Sequence, residues 1–291
     1  MTNLQLFAAC VAIWGSTWLA ITFQLGAVAP EASVFYRFLL ASALLFGWCL
    51  ARGLPLRLAR REHLWIAFQG TFMFSVSYVA VYYAEQHVVS GLVAVGFSAS
   101  PLLNMVGMRL LFGSPMTARV AVGSLLGILG ITLVFWPEFA HLKADGRVAL
   151  GAAFTVAAVV LSALGNMVAH RNHDAGLPIW QSMAWGMLYG ALFTLAIALA
   201  LGRPLAFETT PAYVLSLLYL AFFGSVLAFG GFLTLLGRVG PARAGYIGVM
   251  VPIVALAISS AFEGYRWGLL ALVGVAVSVA GNVIILRRTG A

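Results

Sequence analysis

Residues 121–135 read AVGSLLGILGITLVF, and residues 272–286 read LVGVAVSVAGNVIIL. Neither stretch contains a charged side chain. Each carries three small residues at spacings of four and three: Gly123, Gly127 and Gly130 in the first, and Gly274, Ser278 and Gly281 in the second. Such residues lie on one face of a helix and allow membrane helices to pack closely. The two stretches therefore predict helices whose small residues have a structural role.

The composition extends this interpretation to the whole chain of 291 residues. Apolar residues make up 63% of the chain and charged residues 8%, whereas a soluble domain carries about 25% charged residues. A spanning helix needs roughly 20 apolar residues. Cutting the sequence at its polar and Pro- or Gly-rich breaks gives ten spans: residues 4–27, 31–51, 64–85, 91–112, 118–136, 148–170, 178–201, 213–236, 243–262 and 268–286. The sequence therefore predicts an all-α membrane protein with short connections.

The formal net charge of +8 comes from fifteen arginines and one lysine against eight acidic residues. In a soluble chain this excess would indicate a polyanionic partner such as nucleic acid. Most of these basic residues lie at the ends of apolar segments, where they act as topology signals, so no nucleic-acid partner is expected. Cys10 and Cys49 lie within apolar runs and predict buried small side chains. No disulfide, metal site or cofactor is expected.

The distribution of positive charge predicts the orientation, because cytoplasmic loops retain Lys and Arg. With the N-terminus inside, eleven arginines lie on the cytoplasmic side, and three arginines and one lysine lie outside. Residues 1–10 lack the basic region of a secretory signal, so the first apolar stretch is expected to remain as a membrane helix. The prediction is a multi-pass protein of the cell inner (plasma) membrane with both termini in the cytoplasm.

An internal repeat emerges when residues 1–138 are aligned with residues 147–288. At an offset of 151 Tyr78 aligns with Phe229, and near the start of each half the offset is 148. Each half contains five spans, an odd number, so the second half must enter the membrane from the opposite side. Inverted repeats of this kind are typical of secondary transporters that alternate access around a midplane site. We therefore predict two domains, 1–138 and 147–288, related as inverted five-helix repeats.

Several segments resemble a known family. The first half contains AACVAIWGSTWLA, VFYRFLLASALLF and YYAEQHVVSGLVAVGFSASPLL, and the second contains GRVGPARAGYIGVMVPIVALAISSAFEGY. Over nearly its whole length the chain resembles the EamA family of the drug/metabolite transporter (DMT) superfamily, and within it the YddG-type amino-acid exporters. The resemblance implies ten helices in two inverted repeats around a central cavity. It also implies that Glu263, just after the ninth helix, has a structural role at a helix end.

The first and third spans supply candidate substrate-binding residues. Trp14, Thr17 and Trp18 lie on one face of the first span, where Trp14 either fills the core or forms a wall of the substrate pocket. In the third span a stripe follows one face: Tyr78, Tyr82 and Glu85. A phenolic hydroxyl in hydrocarbon needs a partner, so this face should point into protein or a wet cavity. Glu85 either attracts a substrate ammonium group or ends its helix in solvent.

Further candidates lie in the fourth, sixth, seventh and ninth spans: Ser98, Asn104, Asn166, Trp185, Tyr246 and Met250. Ser98 and Asn104 flank a proline, which exposes helix carbonyls in a membrane. The amide of Asn166 suits either a zwitterionic substrate or a hydrogen bond between helices. Tyr246 and Met250 share one face of the ninth span.

Arg37 is the one formal charge well inside a predicted span. Charged side chains within the membrane are costly and are functional candidates by default. The guanidinium of Arg37 either binds a substrate carboxylate or ties helix carbonyls together in the outer half of the membrane. No Asp or Glu lies at mid-depth, so proton coupling, which usually relies on carboxylates, is expected to be weak or absent.

These features predict an alternating-access exporter of small metabolites, with aromatic and apolar amino acids as the expected substrates and with facilitated or weakly coupled transport. Exporters of nucleotide sugars, nucleosides or drugs are the alternatives, although a phosphate-bearing substrate favours several cationic residues. An enzyme is not expected, because no nucleophile with a base and no metal cluster is recognisable; a structural or sensory membrane protein is a further alternative. The expected partners are a small-molecule substrate and the lipid bilayer, and the expected state is a monomer or weak homodimer.

Overall fold

The structure is a computed structural model and describes residues 1–113, 118–140, 146–244 and 246–286. Every regular element in these ranges is helical. The α-helices are α1 (Asn3–Thr22), α2 (Pro30–Ala51), α3 (Arg60–Thr71), α4 (Ser77–Glu85), α5 (Ser90–Gly96), α6 (Ser100–Phe112), α7 (Ala118–Ala140), α8 (Arg147–Asp174), α9 (Ile179–Ala200), α10 (Pro211–Tyr219), α11 (Ala228–Ala244), α12 (Tyr246–Phe262) and α13 (Leu269–Leu286). The prediction of an all-α chain is confirmed for the described residues.

Three junctions between these helices are helical turns of a different pitch and not loops. A π-helical turn, Phe72–Val76, joins α3 and α4 into one continuous helix, and a second, Leu220–Leu227, joins α10 and α11. A 3₁₀ turn, Phe97–Ala99, joins α5 and α6. π-Helical turns are rare and occur frequently at functional sites. The two π turns begin 148 positions apart, which is the repeat offset at the start of each half.

Seven continuous helices in the described residues are long and apolar enough to cross a membrane: Asn3–Thr22, Pro30–Ala51, Arg60–Glu85, Ser90–Leu111, Arg147–Asp174, Ile179–Ala200 and Pro211–Phe232. Three shorter apolar helices, Ala121–Trp136, Tyr246–Phe262 and Leu269–Ile284, coincide with the predicted fifth, ninth and tenth spans. Large apolar side chains such as Leu125 and Leu215 are exposed on the outside of the bundle, as suits a surface that faces lipid. The prediction of a multi-span membrane protein is confirmed.

Local sequence determines where the helices begin and end. Thr2 caps α1, because its Oγ1 accepts a hydrogen bond from Gln5 N at 3.2 Å while Gln5 Oε1 accepts one from Thr2 N at 2.8 Å. Pro30 is the first residue of α2, where its missing N–H costs no hydrogen bond. Gly53 and Gly202 follow α2 and α9 with φ angles of 64° and 62°, a left-handed conformation that favours glycine.

Glu263, which follows α12, caps the N-terminus of α5. Its Oε1 accepts a hydrogen bond from Ser90 N at 3.0 Å, and its Oε2 accepts from the hydroxyls of Ser90 and Ser259. Ser259 Oγ in turn accepts from Gly91 N at 2.8 Å. These contacts satisfy backbone donors that the start of a helix leaves free, and a negative charge is favourable at this end of the helix dipole. The structural role expected for Glu263 is confirmed.

α7 and α13 pack against each other through their small residues. A Cβ added to Gly130 would lie 2.5 Å from the carbonyl oxygen of Gly274, and a Cβ added to Gly274 would lie 2.6 Å from the carbonyl oxygen of Gly130. A Cβ on Gly281 would meet the carbonyl oxygen of Gly123. The prediction that these glycines serve close helix packing is confirmed.

The other helices pack in pairs that correspond between the two halves of the sequence. α2 packs against α9, and across this contact Ser42 Oγ donates a hydrogen bond to the carbonyl oxygen of Ala184 at 2.9 Å. α1 packs against α12, and the corresponding pair, α8 and α6, is also in contact. The largest apolar cluster includes Phe38, Phe74 and Met187. Beside this cluster the helices leave a cavity between them.

Candidate functional site

A cavity of about 500 Å³ is lined by residues from both halves of the sequence. That volume is in the range of small-molecule sites, about 300–1,000 Å³. Seven lining side chains are aromatic: Trp14, Trp18, Phe74, Tyr78, Phe97, Phe229 and Phe232. Eight carry neutral polar groups: Thr17, Ser77, Ser98, Ser100, Asn104, Ser162, Asn166 and Asn282. Arg37 is the one charged side chain among the described lining residues, so the cavity combines ring surfaces, neutral polar groups and a single positive charge.

Trp14 and Trp18 form an aromatic wall of the cavity. Trp14 Nε1 donates a hydrogen bond to the carbonyl oxygen of Gly224 at 3.1 Å, and its ring lies edge-on to Phe229 with the centroids 5.2 Å apart. The ring of Trp18 contacts Phe97 at a centroid distance of 5.2 Å. Gly224 belongs to the second π-helical turn. The wall on α1 is therefore held in position by a helix from the second half of the chain.

Arg37 borders the cavity with 2% of its surface exposed. Its guanidinium carbon lies 4.6 Å from the centroid of the Tyr78 ring and 5.2 Å from that of Phe38, so two π-faces contribute cation–π attraction. The guanidinium also interacts with the hydroxyl of Tyr82. Nε and Nη1 of Arg37 have no hydrogen-bond partner among the described residues. Nε and Nη1 therefore make no contact with a helix carbonyl in the described residues, and the choice between a substrate carboxylate and a structural tie for Arg37 stays a prediction.

A pair of amides lies where α6 faces α8. Asn166 Nδ2 donates a hydrogen bond to Asn104 Oδ1 at 3.3 Å. A nearby lining residue, Asn282, donates to the carbonyl oxygen of Ser278 at 3.1 Å. The bond between Asn104 and Asn166 uses one donor and one acceptor, and each amide has further hydrogen-bonding capacity. The helix contact expected of Asn166 is present, and the same amides border the cavity.

The cavity extends for about 15 Å along the bundle, because the lining residues of one continuous helix run from Ala94 to Asn104 and a helix rises about 1.5 Å per residue. In the helix Arg60–Glu85 the lining residues end at Val81. The next residue, Tyr82, is fully buried and donates a hydrogen bond to Gln24 Oε1 at 2.7 Å. Tyr82 and Gln24 therefore pack beyond the last lining residue of this helix.

Eight of the thirteen residues predicted to bind substrate line the cavity: Trp14, Thr17, Trp18, Arg37, Tyr78, Ser98, Asn104 and Asn166. They come from α1, α2, α4, α6 and α8 and from the 3₁₀ turn before α6. The structure thus brings residues together that are as far apart in sequence as Trp14 and Asn166. Their role in binding a substrate stays a prediction.

Tyr82 and Glu85 were also predicted on this face, but the structure places them beyond the cavity. The hydroxyl of Tyr82 has the protein partner that a buried phenol needs, Gln24. Glu85 is not a solvated helix end, since 7% of its surface is exposed and neither carboxyl oxygen has a hydrogen-bond partner among the described residues. Both side chains are buried one to two turns after Tyr78 and neither lines the cavity.

Trp185 lies in a separate aromatic cluster between α3 and α9. Its Nε1 donates a hydrogen bond to the carbonyl oxygen of Leu56 at 3.0 Å, and its ring contacts His63 and Tyr189. Leu56 belongs to the connection between α2 and α3. This hydrogen bond directs the indole toward the connection and away from the cavity.

Tyr246 and Met250 lie on a different face of α12 from the one that borders the cavity. The lining residues of α12 are Ile247, Gly248, Val251 and Pro252, which form one helical stripe. Met250 is 38% exposed on the outside of the bundle. The prediction followed the polar and polarisable side chains of this helix, whereas the cavity is bordered by its neighbouring, apolar stripe.

Comparison with known proteins identifies the family. The sequence profile of the EamA-like transporter family matches residues 2–136 and residues 149–287. The chain belongs to the EamA-like transporter family. It is 30% identical over 275 residues to the "Uncharacterized inner membrane transporter YedA" of Escherichia coli (strain K12), with 90% of this chain and 84% of that protein covered.

A second relative and a solved structure are also similar to this chain. The "Probable amino-acid metabolite efflux pump" of Salmonella typhimurium (strain LT2) is 26% identical over 283 residues, covering 94% of this chain and 91% of that protein. A solved structure described as "Crystal structure of protein" matches with a TM-score of 0.70 and 17% identity over 97% of this chain and 96% of that chain, which shows a shared fold. This EamA-family chain is therefore a transporter and not an enzyme, and it is a multi-pass protein of the inner membrane.

The EamA-family cavity also contains residues that side-chain chemistry alone does not mark as candidates. Half of them, eight of sixteen, are related by the repeat offset to another lining residue. The pairs are Tyr78 with Phe229, Val81 with Phe232, Phe97 with Gly248 and Ser100 with Val251 at an offset of 151, and Trp14 with Ser162 and Trp18 with Asn166 at an offset of 148. The alignment of the two halves could therefore have identified these residues, because a candidate in one half marks the aligned residue in the other half as a candidate.

Proposed function

We propose that this protein is a secondary transporter that exports small amphipathic metabolites, chiefly aromatic and apolar amino acids, by alternating access. The observation that carries the proposal is the cavity of about 500 Å³ with seven aromatic side chains, eight neutral polar side chains and one cation. An apolar wall with a few polar groups is the usual composition of a small-molecule site. The relative named as a probable amino-acid metabolite efflux pump supports the same substrate class.

The proposed architecture is ten transmembrane helices in two inverted repeats, 1–138 and 147–288, with both termini in the cytoplasm. Three apolar helices of 10–17 residues coincide with the predicted spans beyond the seven longer ones, which supports the number ten. The corresponding helix contacts and the repeat-related lining pairs support the two-fold relation of the halves. The excess of arginines in alternate connections supports the orientation.

Transport is proposed to be facilitated or weakly coupled to protons. No Asp or Glu occurs among the described residues that line the cavity. A proton-coupled transporter usually binds its proton on a carboxylate along the substrate pathway. Phosphate-bearing substrates such as nucleotide sugars are disfavoured for a related reason, since Arg37 is the one cation available there and phosphate groups favour several charged donors. The protein is proposed to act as a monomer or weak homodimer in the lipid bilayer.

The transport assay uses purified protein in liposomes loaded with unlabelled L-phenylalanine, and measures the uptake of radiolabelled L-phenylalanine by counterflow. Uptake above that of protein-free liposomes is expected, without stoichiometric proton movement. Trp14→Phe keeps a ring but removes the hydrogen bond to Gly224, so uptake should fall. Trp136→Phe is the matched control, because Trp136 is 57% exposed on α7 and outside the cavity. If no amino acid, nucleoside or organic cation exchanges in folded protein, the proposal is wrong.

The inverted arrangement has its own test. Cys10 and Cys49 are both buried, so a Cys10→Ala, Cys49→Ala background removes the native thiols with small changes in volume. Single substitutions then report the two sides: Arg60→Cys at the start of α3, and Glu208→Cys in the connection after α9. A membrane-impermeant thiol reagent applied to intact cells should label position 208 and not position 60. Labelling of both positions from the same side contradicts inverted repeats.

A further inference from the structure

We propose that the cavity selects its substrate through a carboxylate group, which Arg37 binds, and that it does not require a free ammonium group. The inference rests on the proposed function and narrows it. The substrate class is small aromatic or apolar carboxylic acids, with or without an α-amino group.

The first step concerns the unmet hydrogen-bonding capacity of Arg37. Arg37 is 2% exposed, and although its guanidinium interacts with the Tyr82 hydroxyl, Nε and Nη1 have no hydrogen-bond partner among the described residues. A buried charge is costly unless it is paired and hydrogen-bonded. The rings of Tyr78 and Phe38 attract the cation but accept no strong hydrogen bond. The side chain is therefore held at the edge of the cavity in a state that an anion would stabilise.

No described carboxylate forms a salt bridge or a hydrogen bond with Arg37 in this conformation. Glu85 interacts with Arg37 electrostatically, but neither of its oxygens makes a hydrogen bond among the described residues, and it does not line the cavity. The other acid of this region, Glu263, is engaged by the N-terminus of α5. The open cavity beside Arg37 is the space from which an anion can approach. A carboxylate fits best, because its charge of −1 matches a single cation and its two oxygens match guanidinium donors.

The second step concerns the opposite group of an amino acid, the ammonium. No carboxyl group occurs among the described lining residues, so the cavity offers an ammonium group neutral acceptors such as Asn104, Asn166 and Ser98. Hydrogen bonds to neutral acceptors are weaker than charge-assisted ones. The repeat counterpart of Arg37 is Trp185, whose indole is bonded to Leu56 outside the cavity. Charge recognition is therefore confined to one end, and it recognises an anion.

The test compares three probes of nearly equal size: L-phenylalanine, 3-phenylpropionate, which lacks the amine, and 2-phenylethylamine, which lacks the carboxylate. Binding to purified protein is followed by quenching of tryptophan fluorescence, since Trp14 and Trp18 line the cavity, and by thermal shift. Phenylpropionate should bind with an affinity close to that of phenylalanine. Phenylethylamine should bind about 10- to 100-fold more weakly, the factor that hydrogen bonds to a charged group contribute.

Variants assign this preference to Arg37. In Arg37→Gln the ratio of the affinities for phenylpropionate and phenylethylamine should fall toward one, and Arg37→Lys should retain part of the preference because it keeps the charge. The matched control is Arg171→Gln. Arg171 also stacks on an aromatic ring, with its guanidinium carbon 4.7 Å from the Trp65 centroid, but it pairs with Glu62 outside the cavity. Its replacement should leave the affinity ratio unchanged.

The outcomes separate this inference from the proposed function. Equal affinities for phenylpropionate and phenylethylamine in the wild type overturn carboxylate selection, and an unchanged ratio in folded Arg37→Gln overturns the role of Arg37. In both cases counterflow of L-phenylalanine would leave the transport proposal standing. If Arg37→Gln does not fold, the wild-type ratio and the Arg37→Lys variant decide. Absence of binding and counterflow for all three probes counts against aromatic acids as substrates and hence against this inference.

Discussion

The close contact between α7 and α13 makes Gly130→Ala a sharp test of the fold. The added Cβ would lie 2.5 Å from the carbonyl oxygen of Gly274 and from the amide nitrogen of Ser278. These are backbone atoms, so no rotamer change can relieve the clash, and the two helices must separate by about 1 Å to restore ordinary contact distances. Overpacking of this kind costs about 1–3 kcal/mol. For large single chains, a loss of 1 kcal/mol lowers the melting temperature by about 2–4 °C. The melting temperature of Gly130→Ala should therefore fall by about 2–12 °C.

The same substitution at an open position provides the control. Gly47 lies within α2, is exposed, and has no atom within 4 Å of the position of an added Cβ. Gly47→Ala should raise stability slightly, by up to about 1 kcal/mol, because alanine has less conformational entropy to lose and a better helix propensity. The melting temperatures of both variants are measured in detergent, from the amount of monodisperse protein that remains after heating. Equal shifts for the two variants, or an unchanged melting temperature for Gly130→Ala, would refute the reasoning.

Three further substitutions test individual contacts. Glu263→Gln should lower the free energy of unfolding by about 1.5–3 kcal/mol, because it removes the charge from the hydrogen bonds that cap α5; the melting temperature checks this, and an unchanged value would show that the cap does not depend on the charge. Tyr82→Phe should lower the free energy of unfolding by about 0.6–1.7 kcal/mol, from the average to the largest value for hydrogen bonds inside membrane proteins, because Gln24 loses its donor. An unchanged melting temperature would show that this hydrogen bond does not stabilise the fold. Trp185→Phe should lower the melting temperature while leaving the apparent affinity for L-phenylalanine unchanged, because Trp185 lies outside the cavity; weaker binding in counterflow would contradict that placement.

The sequence predicts the helices well where polar breaks interrupt the apolar runs. The last predicted span, 268–286, differs from α13 by one residue, and the sixth begins within one residue of α8. The first span is predicted too long, to residue 27, whereas α1 ends at Thr22. Residues 23–28 are mostly apolar and give no hydropathy signal for a break. The chain nevertheless turns there, and Gly26 adopts a φ of 113° that continues no helix.

The site is harder to predict than the helices because the solvent is lipid. In a soluble helix the polar side faces water, so periodicity identifies the buried side. In a membrane helix the lipid-facing and protein-facing sides are both apolar, and α12 illustrates the consequence. Tyr246 and Met250 stand out chemically, but the cavity is bordered by Ile247, Gly248 and Val251. Polar residues that must avoid lipid, such as Arg37 and Asn166, were the reliable guides.

The π-helical turns show why repeat alignment adds information that hydropathy lacks. Each turn contains one or more extra residues relative to an α-helix and so rotates the helix that follows it. Met73 and Phe74 of the first turn line the cavity, and Gly224 of the second accepts the hydrogen bond of Trp14. Neither turn has a composition that marks it, yet both occur at corresponding places in the two halves. The π-helical turn recurs in both halves although the side chains differ. A shared requirement for helix geometry at the cavity explains this recurrence better than packing that is peculiar to one half.

The side chains that differ between the two halves determine which groups of a solute the cavity can recognise. Among the repeat-related lining pairs only Tyr78 and Phe229 are aromatic in both halves, whereas Trp14 corresponds to Ser162 and Trp18 to Asn166, so most of the aromatic surface belongs to the first half. Arg37 has Trp185 as its counterpart, and the tryptophan side chain is bonded elsewhere. An exchange of conformations between the halves would therefore not create a second cation. The positive charge of the site is therefore carried by α2, and since α2 packs on α9 through Ser42 and Ala184, movement of that pair would carry the charged end of the site with it.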